Sequence, residues 1–382
     1  MLIGLSALEE TDWSRLLHAY GRAVDTPGHL RAFLEFDADA RAAAMSHLWA
    51  AILHQGSAYT ATPAVALVLV GLLADERIDQ GEPGRAHVLS FLGYVAQVFD
   101  YADLDVDSLK RLAAFDVEAY LDAYDDDESD NEEASSALYA RTILGCYEAR
   151  PVIMQVMLDA LGHSRSEVRV EAAWGASILA NDPSLKNTKH DIETQLWALI
   201  ETAPTIDERC ALVLALGELG IRPVQFLNES SPALRMCAAL SPELAENEAA
   251  LEELATTLRL HASEIDTWFS ERPPQFEMSP RFSIIERLAK NVKDFGQIVD
   301  AAVAVAQVAT KHTVDYDWGP LLAMAFADGS GSPSSEPQRR YLEALVDREE
   351  LWDPVYANPR RWFKKAGLPY DRQACFDLLM SV

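Results

Sequence analysis

The chain holds almost nothing from which a β-sheet is built. Alternating Val/Thr/Tyr runs are close to absent, and no Asn-Gly hairpin turn occurs in its 382 residues. Sheet-based architectures are therefore not expected. Cysteine is scarce as well: Cys146, Cys210, Cys237 and Cys375 include no C-x-x-C pair, which argues against a disulfide framework or a zinc ribbon. They read as small buried hydrophobes in a reducing compartment. Long apolar runs are missing too. The longest, Ala64 to Ala74, falls short of the roughly 20 residues that span a bilayer. The opening MLIGLSALEETDW lacks the basic n-region and long apolar core of a secretory signal. A cytoplasmic chain with no membrane partner is expected.

Positive charge is the next shortage. Lys plus Arg number 32 against 60 Asp plus Glu, a formal net charge of -28. Such a field repels phosphate backbones and anionic lipid headgroups, so nucleic acid is not an expected partner and a basic protein is. Catalytic signatures are lacking: no G-x-S-x-G, no phosphate-cradling loop followed by Lys-Ser/Thr, no H-E-x-x-H, and no G-x-G-x-x-G after a strand. The nine histidines are dispersed along the chain. No catalytic residue, metal ligand or cofactor is assigned, and the chain is not expected to be an enzyme.

What is present is helix. Apolar residues recur with helical periodicity nearly everywhere, in segments of about 10–20 residues punctuated by Pro, Gly and Asp. Pro27, Pro63, Pro151, Pro183, Pro204, Pro232 and Pro320 sit where helices can begin, since the first helical turn needs no proline N–H. Hydrophobic residues make up 49% of the chain, enough for a large core. At this length one compact core is strained, whereas stacked units that pack only on their neighbours are not.

A partial repeat follows. Glu167–Ala180 reads EVRVEAAWGASILA, Asp207–Gly220 DERCALVLALGELG, Gly84–Gly93 GRAHVLSFLG, Ala40–Trp49 ARAAAMSHLW and Ala233–Leu240 ALRMCAAL. Each opens with an Arg followed by small and branched apolar residues on one face. Val168, Arg169, Ala172 and Ala173 match a V-R-x-x-A-A pattern. Arg209 is followed by Leu216, Gly217, Leu219 and Gly220. These segments resemble HEAT-like repeats, well over residues 150–245, fairly over 34–100 and weakly after 260. The aligned arginines are spaced unevenly, by 44 residues (Arg41 to Arg85), 40 (Arg169 to Arg209) and 26 (Arg209 to Arg235), so the repeats are divergent. The resemblance, to bacterial HEAT-repeat proteins, implies an all-α fold: a right-handed α-solenoid (superhelix) of helix pairs that binds protein on its concave face.

The organisation expected is HEAT-like repeats over 1–270, divergent helical repeats over 271–328, a flexible GSGSPSSEP linker at 329–337 and a helical cap over 338–382. An acidic stretch, DAYDDDESDNEE, is inserted at 122–133. Asp100 to Glu133 hold 14 acidic and 2 basic residues, nearly half of the chain's net charge. Asp125, Asp127 and Ser129 are spaced like EF-hand ligands, but Asp130 replaces the required glycine and Ser136 the bidentate glutamate, so a solvated loop is expected there.

Candidate protein-binding residues are His47, Trp49, His54, Gln55 and Tyr59, with Trp174 on the strongest repeat and Asp125, Asp126, Asp127 and Glu128 on the acidic arm. Aromatic residues on rigid helices make good anchors, and carboxylates select a basic partner. His47 and His54, seven residues apart, are expected to share a helix face. Trp174 with Asp182 also brings to mind the HEAT-like DNA glycosylases, but residues 160–200 carry too few cations for a nucleic-acid groove. The cluster Arg360, Arg361, Lys364, Lys365 is expected to dock the cap onto acidic neighbours. Expected roles are an immunity- or antitoxin-like protein or an adaptor. The alternative is an enzyme or accessory, lyase-like, with a small-molecule pocket between repeats.

Overall fold

A computed structural model describes residues 1–124 and 131–381. Among them are nineteen α-helices, short 3-10 turns and two hairpins of two-residue strands, so the fold is all-α. The helices begin where short polar side chains cap them. Asp37, Thr205, Ser231, Asn247, Ser335 and Asp371 each accept a hydrogen bond from a backbone N–H of the first turn that has no intrahelical partner. All five repeat-like segments lie on helices: Ala38–His47, Arg85–Gln97, Ser166–Leu179, Ile206–Glu218 and Pro232–Ala239.

The chain divides into two compact units, Met1–Ala198 and Leu199–Val382. In the first, the helix Glu132–Ala160 is the centre. It packs against Ala61–Leu72, Arg85–Gln97, Val106–Ala113 and Ser166–Leu179. Pro151, read from the sequence as a helix start, lies inside this helix instead. Breaking the ladder there costs about 3 kcal/mol in isolation. Apolar packing outweighs that cost, because Ile143, Cys146, Ile153, Met154 and Met157 are all buried on either side of the proline. The short helix Gly4–Glu10 lies on Ala61–Leu72. Their approach is close: a Cβ on Gly71 would stand 2.2 Å from the Gly4 nitrogen, and Gly4 itself has φ +65. Only glycine fits at either position.

In the second unit, Ile206–Glu218 packs on Pro232–Ala239, which packs on Glu248–His261. Beyond that point helices touch the next but one. Glu248–His261, Val299–Ala306, Glu336–Val346 and Arg372–Met380 form one row, and Pro280–Asn291, Trp318–Ala325 and Asn358–Lys365 a second. Near the C-terminus, Arg361 Nη2 and Trp362 Nε1 both donate to Asp315 Oδ1 at 2.8 Å. Part of the basic cluster thus holds Asn358–Lys365 against a carboxylate of the same unit.

Four of the five arginines that open the repeat-like helices share a task, and Arg360 near the C-terminus repeats it; Arg209 instead meets the Glu229 carboxylate at 3.5 Å. Loops leave carbonyls without backbone donors, and a guanidinium offers five N–H groups. Arg41 reaches the Glu35 carbonyl, Arg169 that of His163, Arg235 that of Glu229 and Arg360 that of Pro354. Arg85 grips the Asp79 carboxylate. In all five cases the partner lies six residues back. Arg41 goes furthest. Only 1% exposed, it also donates to the carbonyls of Arg77, Ile78 and Gly81. Arg41→Met leaves these acceptors without their donor and is expected to destabilise the protein by at least about 3 kcal/mol in urea denaturation. Arg31→Met on the exposed face of Thr26–Ala32 is expected to change stability by no more than about 0.5 kcal/mol.

Candidate functional site

Two features of the first unit gather the sequence-predicted residues or lie beside them. The first is a row of aromatic rings. Trp49 stands in the π-helical turn Leu48–Ile52 that follows Ala38–His47. It meets Phe91 and Tyr94 edge-on, at centroid distances of 5.3 and 5.2 Å. Tyr94 in turn meets Trp174 at 5.0 Å. Trp49 and Trp174, 125 positions apart in the sequence, are thus joined through one tyrosine that the sequence reading left out. Trp49 is 38% exposed and Trp174 only 4%, so Trp49 is the ring a partner can reach. Gly93 makes room for the row, since a Cβ there would lie 2.6 Å from the Trp174 ring. Trp174 therefore serves the core, and Asp182, buried, holds Arg150 at 2.8 Å.

Glu171, one turn before Trp174, shares this interior. Burial pushes its carboxyl up to about 7, although a hydrogen bond with Ser90 opposes the rise. Below about pH 4.5 folded and unfolded chains both hold the proton. Between there and about 7 only the folded chain does, so this group's contribution falls across that window as pH rises and then levels off. Melting temperatures of wild type and Glu171→Gln are expected to agree at pH 5, with the variant higher by roughly a few degrees at pH 8.

The second feature is a histidine cluster. Helix Ala38–His47 gives way to the π turn and then to a hairpin, Leu53–His54 with Ser57–Ala58, whose turn places Gln55 at φ 51 and Gly56 at φ 82. His54 is therefore not on a helix face with His47. Its Nδ1 lies 2.8 Å from the Ala50 carbonyl oxygen, and its ring meets Tyr20 edge-on. Gln55 is exposed on the turn, and the Tyr59 N–H donates to Thr62 Oγ1. Asp125, Asp126, Asp127 and Glu128 lie outside the described residues.

His47 instead meets residues to which the sequence reading gave no role. A second hairpin, Leu17–His18 with Gly21–Arg22, is joined to the first segment by the Ala19 N–H bond to the Ala51 carbonyl. It brings His18 to Asp25, with His18 Nε2 3.0 Å from Asp25 Oδ1. The Tyr20 N–H donates to His18 Nδ1 at 3.0 Å, which puts the ring proton on Nε2. Asp25 occupies the position before Thr26–Ala32 but makes no side-chain cap; its carboxylate turns to the histidines. His47 Nδ1 lies 4.0 Å from Asp25 Oδ2, and His47 Nε2 lies 2.9 Å from Thr26 Oγ1. His29 stacks on His47 at 4.2 Å.

Burial, and then the nearby His29, push His47 down to about 4 against the pull of Asp25. Burial opposes ionisation of Asp25, yet the His18 hydrogen bond and the His47 and His18 charges hold it below the usual carboxylate range. Thr26, His47 and Asp25 follow the order of a hydroxyl–imidazole–carboxylate triad. Thr26 is fully buried, however, and the imidazole–carboxylate gap is too long for a hydrogen bond, so no nucleophile faces a substrate. One trace of the cluster was visible in the sequence: four of the nine histidines fall within residues 18–54.

A cleft of about 1180 Å³ lies elsewhere in the same unit. Apolar walls come from Ile3, Leu5, Leu73, Leu89, Val152 and Val156. Ile3 and Leu5 are each 43% exposed. The cleft's two arginines are engaged, Arg77 by Asp75 at 2.6 Å and Arg85 by Asp79 at 2.7 Å. Glu76 and Asp159 lie exposed on its rim. Comparison with protein-family models, with curated proteins and with solved structures finds no match to this chain.

Proposed function

We propose that this chain is a protein-binding scaffold of divergent HEAT-like helix pairs, and that its first unit grips a basic-flanked apolar segment of a partner protein. The observation that carries this reading is the cleft: its walls are aliphatic, with Ile3 and Leu5 exposed and Val152 and Val156 half-buried, its arginines are already paired, and carboxylates stand on its rim. An apolar groove with an acidic edge suits an amphipathic helix that has lysines or arginines beside its apolar stripe. The chain's net charge of -28 speeds encounter with such a partner and disfavours nucleic acid. The next-but-one packing of helices in the second unit is in keeping with a solenoid, in which each pair buries its apolar face against the next. In this reading the chain works in the bacterial cytoplasm as an immunity- or antitoxin-like protein against a basic toxin domain, or as an adaptor. Trp49 adds a partly exposed anchor.

A second reading, an enzyme or enzyme accessory, draws on a smaller cavity of about 260 Å³ in the second unit. Glu218, Gln275 and Arg287 line it. Burial pushes Glu218 up to about 8, which makes it a neutral acid at ordinary pH beside an arginine.

Affinity capture at low salt with wild type, Leu5→Lys and Val152→Lys separates the two. Both residues keep some exposure, so melting temperatures are expected to change little. A basic protein is expected on wild type, absent from both variants and released by high salt. Equal capture by all three chains rules out the cleft as the binding surface.

A further inference from the structure

We propose that His18, Asp25 and His47 form a binding site for a divalent transition-metal ion of the zinc class, open to solvent on the Asp25 side. One ligand atom from each residue lies within 4.8 Å of the other two. Ligands bound to zinc at about 2.0–2.2 Å stand roughly 3.3–3.6 Å apart in a tetrahedron. The His18–Asp25 separation of 3.0 Å and the Asp25–His47 separation of 4.0 Å bracket that range.

The gap between His47 and Asp25 is the strongest indication. When His47 Nε2–H is donated to Thr26 Oγ1, Nδ1 turns a lone pair toward a carboxylate oxygen. Two acceptors then face each other at 4.0 Å, too far for a hydrogen bond and well placed to share a cation. Thr26 acts as the outer partner that fixes the tautomer and ring orientation of a metal-ligating histidine. The two imidazoles are buried, with side chains 5% and 8% exposed, while the Asp25 side chain is 53% exposed. Three protein ligands with one wet side is the arrangement that keeps a coordination position for water or an anionic group. Two nitrogens and one carboxylate favour zinc, cobalt or nickel over calcium or magnesium, which take oxygen ligands.

Metal capture costs His18 both of its hydrogen bonds, the one to Asp25 being replaced by shared coordination of the ion. In the ion-free chain its proton sits on Nε2 and points at Asp25. To ligate through Nε2 the neutral ring carries its proton on Nδ1, and the Tyr20 N–H must turn away. Tyr20 sits in the two-residue turn of a hairpin whose strands are largely buried, but it is itself 66% exposed, so water can take over that N–H. His29 stacks flat on His47, 12° from parallel, and supports the ring from its face.

The test uses the full-length chain stripped with EDTA, then titrated with Zn²⁺ and Co²⁺ by calorimetry and, for Co²⁺, visible absorption. The expected result is one ion per chain with the ligand-field bands of four- or five-coordinate cobalt. Asp25→Asn, at a half-exposed position, is expected to raise Kd at least about tenfold, and Thr26→Val about tenfold. His18→Gln should match Asp25→Asn, each variant first checked for an unchanged far-UV spectrum. No binding by wild type overturns the proposal. Binding that survives Asp25→Asn but is lost when Asp125, Asp126, Asp127 and Glu128 become Asn and Gln also overturns it, because the ion then belongs to the acidic run. Calcium binding as tight as zinc binding, equally, rejects the nitrogen ligands.

Discussion

An arginine in the first turn of a helix, bonded back to the loop that delivered it, is the interaction on which the rest of this fold depends. Arg41, Arg85, Arg169, Arg235 and Arg360 each reach a residue six positions earlier. A chain of many short helices has many loops, and each loop carries carbonyls that burial would leave without donors. One guanidinium serves several acceptors and stays charged at any physiological pH. The loop is thereby fixed to the helix, and the helix is aimed at its neighbour. Arg41 and Arg85 show the consequence. Both grip the turn Glu76–Asp79 with its flanking residues, and that turn carries Glu76 and Arg77 to the rim of the cleft.

Charge and packing divide the labour in the first unit. Arg150 is an interior ion with carboxylate partners: it bridges Asp100 and Asp182, with its guanidinium over the rings of Phe99 and Tyr147. Such pairs hold geometry more than they add stability, because desolvation offsets much of their attraction. Exposed carboxylates supply the long-range field. Trp49, Ile3 and Leu5 stand out as partly exposed apolar groups, and under the proposed binding role the energy is expected to come from burying them.

Much of the fold could be read in the sequence. Helical periodicity and the arginine shared by four of the five repeat-like helix starts both act within a few residues, so one-dimensional spacing records them. Pro151 was misread for the same reason: its local preference for a first turn is real, but contacts on both sides of Glu132–Ala160 outweigh it. The expected helix face joining His47 and His54 failed where Ala38–His47 runs into a π turn and a hairpin too short to leave a strand signal. Of the candidate anchors, Trp49 and Trp174 do come together, but only through Tyr94.

The sequence by itself determined that the chain is helical, how its helices start, that its cysteines are unpaired and that its surface is acidic. Each of these follows from residue type and near-neighbour spacing. Tertiary structure alone decided which of the dispersed histidines meet, that Asp25 turns from its own helix to His18 and His47, and that residues near positions 3, 73 and 152 share the walls of one cleft. Those meetings depend on how helices far apart in the chain pack, and packing is set by the fit of whole faces, which no local pattern encodes.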